Sequence, residues 1–206
     1  MVSSLILYSF RRCPFAIRAR MVLEEKGIPY QIREEDLSNL SSDLLALHPE
    51  GRVPLLVHQI ENTNHVIFQS SIITEYLDER FSDFALMPRD ALGKAKVRLW
   101  TYWCDHLFKP DLDLFKYERP ELSAADAHAL ESRLHQALSR WENALQEGPF
   151  LLGTQFTLAD VHLFPFARQF ISIKPSLPGL EKYLKIADWL SRIVSRPAFK
   201  RVMTKV

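Results

Sequence analysis

Along the first eighty residues the apolar positions change period several times. Leu5 to Tyr8 is an apolar run of strand length, whereas Ala16 to Lys26 carries Ile17 and Met21 at helical spacing before Gly27 closes the segment. Pro14 suits the first turn of that helix, where its missing N–H costs nothing. "YQIRE" (Tyr30–Glu34) predicts a second strand, and "DLSNLSSDLLALHPEG" a loop with a short helix. "VPLLVHQ" (Val53–Gln59) and "VIF" (Val66–Phe68) predict two further strands joined across the turn-rich "ENTN". Ser70 to Phe81 then returns to helical spacing with Ile72, Ile73, Tyr76 and Leu77. The order is βαβ followed by ββα, which predicts a mixed four-stranded sheet covered by helices.

After Phe81 the texture changes. "SDFALMPRDALG" reads as a linker, and beyond it every periodic segment is helical. "AKVRLWTYWCDHLF" predicts an apolar helix interrupted at Pro110. Ser123 to Glu147 predicts a long amphipathic helix, with Ser123 as N-cap and Gly148-Pro149 beyond its end. "TLADVHLFPFARQF" opens with Thr157 and Asp160 in capping-box spacing and holds Pro165 inside, which predicts a kink. "YLKIADWLSRIVSR" and a short "PAFKRVM" helix complete the series. The expected organisation is an α/β domain over residues 1–81 and an all-helical domain over 90–206.

Composition narrows the class further. A formal net charge of +1 over 206 residues gives no field that would mark nucleic acid as the main ligand. No run approaches the roughly 20 apolar residues of a membrane span, and no signal-peptide pattern opens the chain. Two cysteines far apart do not make a disulfide scaffold, so a cytoplasmic protein with reduced thiols is expected. The seven histidines lack metal-ligand spacing, and no metal is expected.

The chemistry concentrates at "RRCPFA". Cys13 falls where a strand gives way to a helix, facing unpaired backbone N–H groups and the positive end of the dipole. An ordinary thiol with a pKa of about 8.5 is only about 3% ionised at pH 7. A helix N-terminus, with Arg11 and Arg12 adjacent, should raise that fraction. Ala16 stands where a Cys-x-x-Cys pair would carry its second thiol, so an external thiol must resolve any mixed disulfide at Cys13. Two further motifs stand out. "GRVPLLV" has a proline opening a strand, which suits an edge or a cis-Pro turn. "FQSSII" sets Gln69 and Ser70 at a helix start, a position suited either to an ordinary cap or to a bound carboxylate.

Taken in order, "RRCPFA", "GRVPLLV", "FQSSIITEYL" and "FTLADVHLFPF" resemble the cytosolic glutathione transferase family over essentially the whole chain, and the CPF segment resembles its cysteine-type, omega-like branch. The resemblance implies a thioredoxin-like N-terminal domain, a helical C-terminal domain and a homodimer. It implies that Cys13 forms a mixed disulfide with glutathione, the co-substrate, and that Phe15 lies alongside the tripeptide. Val53, before a cis Pro54, would pair its backbone with the cysteinyl part, and Gln69 and Ser70 would hold the γ-glutamyl end. Omega-like members carry a lysine for the glycyl carboxylate where this chain has Leu40, so Arg12, Arg52 or a helical-domain residue would have to substitute. The implied activity is glutathione-dependent thiol transfer or reduction on an electrophile or disulfide. The alternative is a non-catalytic interaction protein similar to the stringent starvation protein.

Overall fold

A computed structural model describes residues 3–48 and 50–205 and divides them into two compact units, 1–85 with 195–206, and 86–194. In the first unit the chain runs β1 (Ser3–Ser9), α1 (Pro14–Glu25), β2 (Gln31–Glu34), α2 (Ser42–Leu47), β3 (Leu55–Ile60), β4 (Thr63–Phe68) and α3 (Ser70–Arg80). The sheet order is β2-β1-β3-β4. β2 is parallel to β1, while β3 is antiparallel to both β1 and β4. This is the mixed βαβ–ββα sheet that the alternation of periods predicts, in the thioredoxin-like arrangement that the resemblance implies. β4 is longer than its three apolar residues suggest. Thr63, Asn64 and His65 pair with Ile60, Gln59 and His58, so the hairpin turn shrinks to Glu61–Asn62, with Glu61 at φ 55°. As an edge strand, β4 carries polar, exposed residues along half its length, and this hid it from the hydrophobic pattern.

The tail returns to this unit. α9 (Pro197–Val202) packs on α1, and Arg196 grips Glu25 through two bonds of 2.6 and 2.7 Å. Phe199 and Val202 are buried. Residues 195–206 therefore group with the α/β unit, whereas the sequence runs them on with the helical segments.

In the second unit, α4 (Ala91–Trp103) continues through a π-helical turn at Cys104–Phe108 into α5 (Lys109–Asp113), and a second π turn spans Leu114–Glu118. Pro110 therefore does not break the helical path. The π turn changes the hydrogen-bond register just before it, and Pro110 falls in the first turn of α5, where no donor is needed. α6 (Ala124–Ala144), α7 (Leu158–Ile171) and α8 (Leu184–Ser195) complete the unit.

Thr157 and Asp160 form the expected capping box of α7, and Asp160 does more than cap. Its buried carboxylate accepts from the backbone N–H of Leu151 and Thr157 (both 2.9 Å), from Thr157 Oγ1 (3.1 Å) and from Trp189 Nε1 (2.8 Å). Burial pushes this carboxyl up from the usual range, and the four donors pull against that shift. Around it, Trp103 stacks on Phe108 while Trp141 meets Trp103, Phe108 and Trp189 edge-on. Among the described residues, no helix is long and apolar enough to cross a membrane, and no group of three or more acidic, histidine or cysteine side chains is arranged to hold a metal ion.

Candidate active site

Cys13 is the N-cap residue of α1, in extended backbone at φ −70° and ψ 120°. Its N–H donates to Phe10 O and its carbonyl accepts from Ile17 N, both at 2.9 Å. Pro14, following it, begins the helix without needing a donor. The thiol is half-buried and makes no capping bond, and its Sγ lies 4.0 Å from the Val53 carbonyl oxygen. The Val53–Pro54 peptide is cis, and Val53 of the "GRVPLLV" segment lies alongside Cys13.

The neighbouring arginines are otherwise engaged. The Arg11 guanidinium donates to Met203 O at 3.3 Å, while its backbone N–H donates to Glu34 Oε1 at 2.5 Å. Arg12 lies 5.5 Å over the Phe10 ring. Both guanidinium charges remain close to the α1 N-terminus, where the dipole also favours negative charge.

Gln69 is the N-cap of α3, and its φ of 69° is in the left-handed region that non-glycine residues seldom occupy. That conformation presents an exposed side chain at the helix start, directly before the buried Ser70. Sequence reasoning missed the residue behind Ser70. Arg18, on α1, is fully buried, donates through Nη1 to Ser70 Oγ at 3.2 Å, and lies 5.1 Å over the Phe15 ring. Phe15 and Ser70 are thus tied together through one guanidinium. The available signal was a basic residue three positions after Phe15, on a helix whose other positions from 16 to 23 are largely apolar.

The loop after β2 is held by Glu35, itself buried, which accepts from Ser41 N (2.9 Å) and Ser41 Oγ (2.7 Å). Leu40, within that loop, packs against the cluster of Tyr8, Leu44, Leu55 and Val57, where Val53 also packs. A Cβ on Gly51 would come within 2.5 Å of Leu40 Cδ1, and Gly51 has a φ of +59°. Leu40 therefore fills the space beneath the Gly51–Val53 segment with apolar volume. Arg52 turns to solvent, with Nε 2.9 Å from Glu50 and a largely exposed side chain.

Comparison with known proteins identifies the family. Residues 3–79 match the N-terminal domain of glutathione S-transferase, and residues 105–197 match its C-terminal domain. Glutathione S-transferase 3 of Zea mays is 30% identical over 100% of this chain and 96% of its own length. Among solved structures, glutathione transferase Omega 3C from Trametes versicolor superposes with a TM-score of 0.82 at 24% identity, covering 98% of this chain and 85% of that one. A Tau class glutathione S-transferase from mango, Mangifera indica, superposes with a TM-score of 0.83, also at 24% identity, over 98% and 93%. These two structures share the fold, and the maize protein is similar in sequence along nearly its whole length. The chain belongs to the glutathione S-transferase family.

Proposed function

We propose that this chain is a glutathione transferase of the cysteine type, which uses Cys13 for glutathione-dependent thiol transfer. The observation that carries the reading is the position of Sγ: at the N-terminus of α1 and 4.0 Å from the carbonyl of Val53. The dipole of α1 favours negative charge on that sulfur. An extended peptide running beside Val53 can pair with its backbone as an added strand, which brings the peptide's own cysteine to Cys13. In this reading Gln69, Ser70 and the N-terminus of α3 take the γ-glutamyl carboxylate. Phe15 flanks the peptide, and the Val53 backbone pairs with it. Arg52 offers an exposed cation for the glycyl end, since Leu40 supplies no charge.

The reaction balances with glutathione alone as reductant. The Cys13 thiolate attacks the glutathione sulfur of a mixed disulfide, forming Cys13–S–SG and releasing the other thiolate, which takes up a proton. A second glutathione thiolate attacks that bond, releasing oxidised glutathione and regenerating Cys13. Ala16 supports this route, because no second thiol stands in the first turn of α1 to resolve the adduct. A cytoplasmic setting keeps such a thiol reduced.

A homodimer belongs to the same reading. Leu92, Leu99 and Tyr102 are exposed along α4, and Phe68 and Ile72 are exposed in the first unit, as apolar surface that a second copy would cover.

Intact-mass analysis after exposure to oxidised glutathione near neutral pH tests the chemistry. One rapid adduct of glutathione mass is expected, absent from Cys13→Ser and removed by reduced glutathione. The thiol-transfer reading is overturned if the parent forms no adduct and the Cys13→Ser variant conjugates glutathione to an electrophile as well as the parent does.

A further inference from the structure

Cys13 ends a tight turn that carries two cations. Its N–H donates to Phe10 O at 2.9 Å, which closes the chain over Arg11 and Arg12. Arg12 is the residue directly before Cys13, so covalent geometry keeps its guanidinium on the order of 10 Å from Sγ.

The two arginines are held differently. Arg11 is half-buried: its guanidinium donates to Met203 O at 3.3 Å, and its backbone N–H donates to the Glu34 carboxylate at 2.5 Å. Glu34 therefore offsets one positive charge on the Arg11 side of the turn. Arg12 is exposed and lies 5.5 Å over the Phe10 ring, and among the described residues no carboxylate pairs with it. Its charge caps no helix and closes no ion pair. Arg52, near Val53, is by contrast matched by Glu50 at 2.9 Å. The N-terminus of α1 adds its own partial positive charge, of the same sign as Arg12.

An unmatched cation beside a nucleophile acts on the charge of whatever approaches it. In the exchange proposed above, on which this step rests, the Cys13 thiolate attacks the glutathione sulfur. The bond Cys13–S–SG forms, the original disulfide breaks, and the other half leaves as a thiolate that takes up a proton. We propose that Arg12 is a specificity-determining residue, selecting glutathione mixed disulfides whose other half bears a carboxylate near its sulfur. A unit charge about 7 Å from another in water changes a rate about threefold, provided that salt is low.

The probes are the glutathione mixed disulfides of 3-mercaptopropionate, 2-mercaptoethanol and cysteamine, whose second halves are anionic, neutral and cationic. Acid-quenched intact mass gives the rate at which each converts Cys13 to its glutathione adduct, at about 10 mM ionic strength. Intrinsic differences between the leaving thiols cancel when the anion-to-cation rate ratio of a variant is divided by that of the parent. Arg12→Gln should lower this ratio about tenfold, because the probes differ by two charges, and Arg12→Glu should lower it further. Arg12→Lys should keep the parent's ratio, and 0.5 M salt should bring the parent close to Arg12→Gln. Arg12 is exposed, so these variants should fold as the parent does. A ratio unchanged in both Arg12→Gln and Arg12→Glu would overturn the assignment while leaving thiol transfer at Cys13 intact. An equal fall for all three probes would place Arg12 on the glutathione half and overturn it too. If no probe forms an adduct that Cys13→Ser abolishes, thiol transfer itself fails, and the specificity with it.

Discussion

The buried guanidinium of Arg18 donates to the Ser70 hydroxyl across 3.2 Å, joining the helix that carries Cys13 to the one that begins at Gln69. If Ser70 holds one end of glutathione, Arg18 sets its hydroxyl. Ser70→Ala and Arg18→Met should each weaken glutathione binding by roughly tenfold, the worth of one well-placed polar contact. The double variant should lose less than the sum, with a coupling of about 0.5–3 kcal/mol as for residues in one network. Titration calorimetry on the four proteins measures this, and strict additivity would show that Arg18 acts independently of Ser70.

Leu40 stands where a glycyl-binding lysine is expected from the resemblance. Leu40→Lys should tighten glutathione binding by up to about tenfold, since a charged hydrogen bond contributes about 1.5–3 kcal/mol before ordering costs. The same change removes an apolar side chain from the Tyr8–Val57 cluster, so the melting temperature should fall. Calorimetry and a thermal melt separate the two effects. Unchanged affinity would mean that another residue already serves the glycyl end.

Gly51→Ala should destabilise the first unit by roughly 1–2 kcal/mol. The backbone there is left-handed, and the new Cβ would meet Leu40 Cδ1 at 2.5 Å. Pairing it with Leu40→Ala should recover the steric part but not the backbone part. Urea midpoints of the three variants check the partition.

Asp160→Ala should cost on the order of 3–5 kcal/mol, because it leaves the N–H groups of Leu151, Thr157 and Trp189 without their acceptor in a buried site. Asp160→Asn should cost less, since one oxygen remains. Equilibrium unfolding in urea reads both. A loss below about 1 kcal/mol for Asp160→Ala would reduce this carboxylate to an ordinary cap.

His58 lies on β3, fully buried, with Nδ1 2.5 Å from the Tyr76 hydroxyl. Burial first, then the charges of Arg80 and His65, hold its pKa below the usual value of 6.5. The unfolded chain therefore binds this proton more readily than the folded one. The stabilisation is complete above about pH 6.5 and is lost as pH falls toward the folded value. Urea midpoints should drop between pH 7.5 and 5.5, and His58→Gln should flatten that drop.

Much of this was legible in the chain itself. The alternation of periods gave β1, α1, β3 and α3, because each sends apolar residues into the core at its own spacing: Leu5 and Leu7, Ile17 and Met21, Leu55 to Val57, Ile73 and Leu77. Cys13 and Pro54 were visible as residue types that their positions restrict. Other features depend on partners distant in sequence. Arg18 reads as an ordinary helix residue until Ser70, 52 positions away, is seen beside it. Glu35 reads as a surface charge until Ser41 folds back on it. The polar half of β4 shows no apolar pattern because Thr63, Asn64 and His65 are exposed on both faces of the strand. Pro110 carries a true local signal, which the π turn before it cancels.

The return of α9 to α1 also bears on synthesis of the chain at the ribosome. Domains generally fold as they emerge, the N-terminal one first. Here the α/β unit draws on Phe199, Val202 and the Arg196 clamp on Glu25, which are translated after the whole helical unit. The first unit to be made is thus the last to be finished. A nascent chain stalled after α3 should expose the face of α1 that α9 covers, leaving it open to chaperones and proteases until the tail arrives.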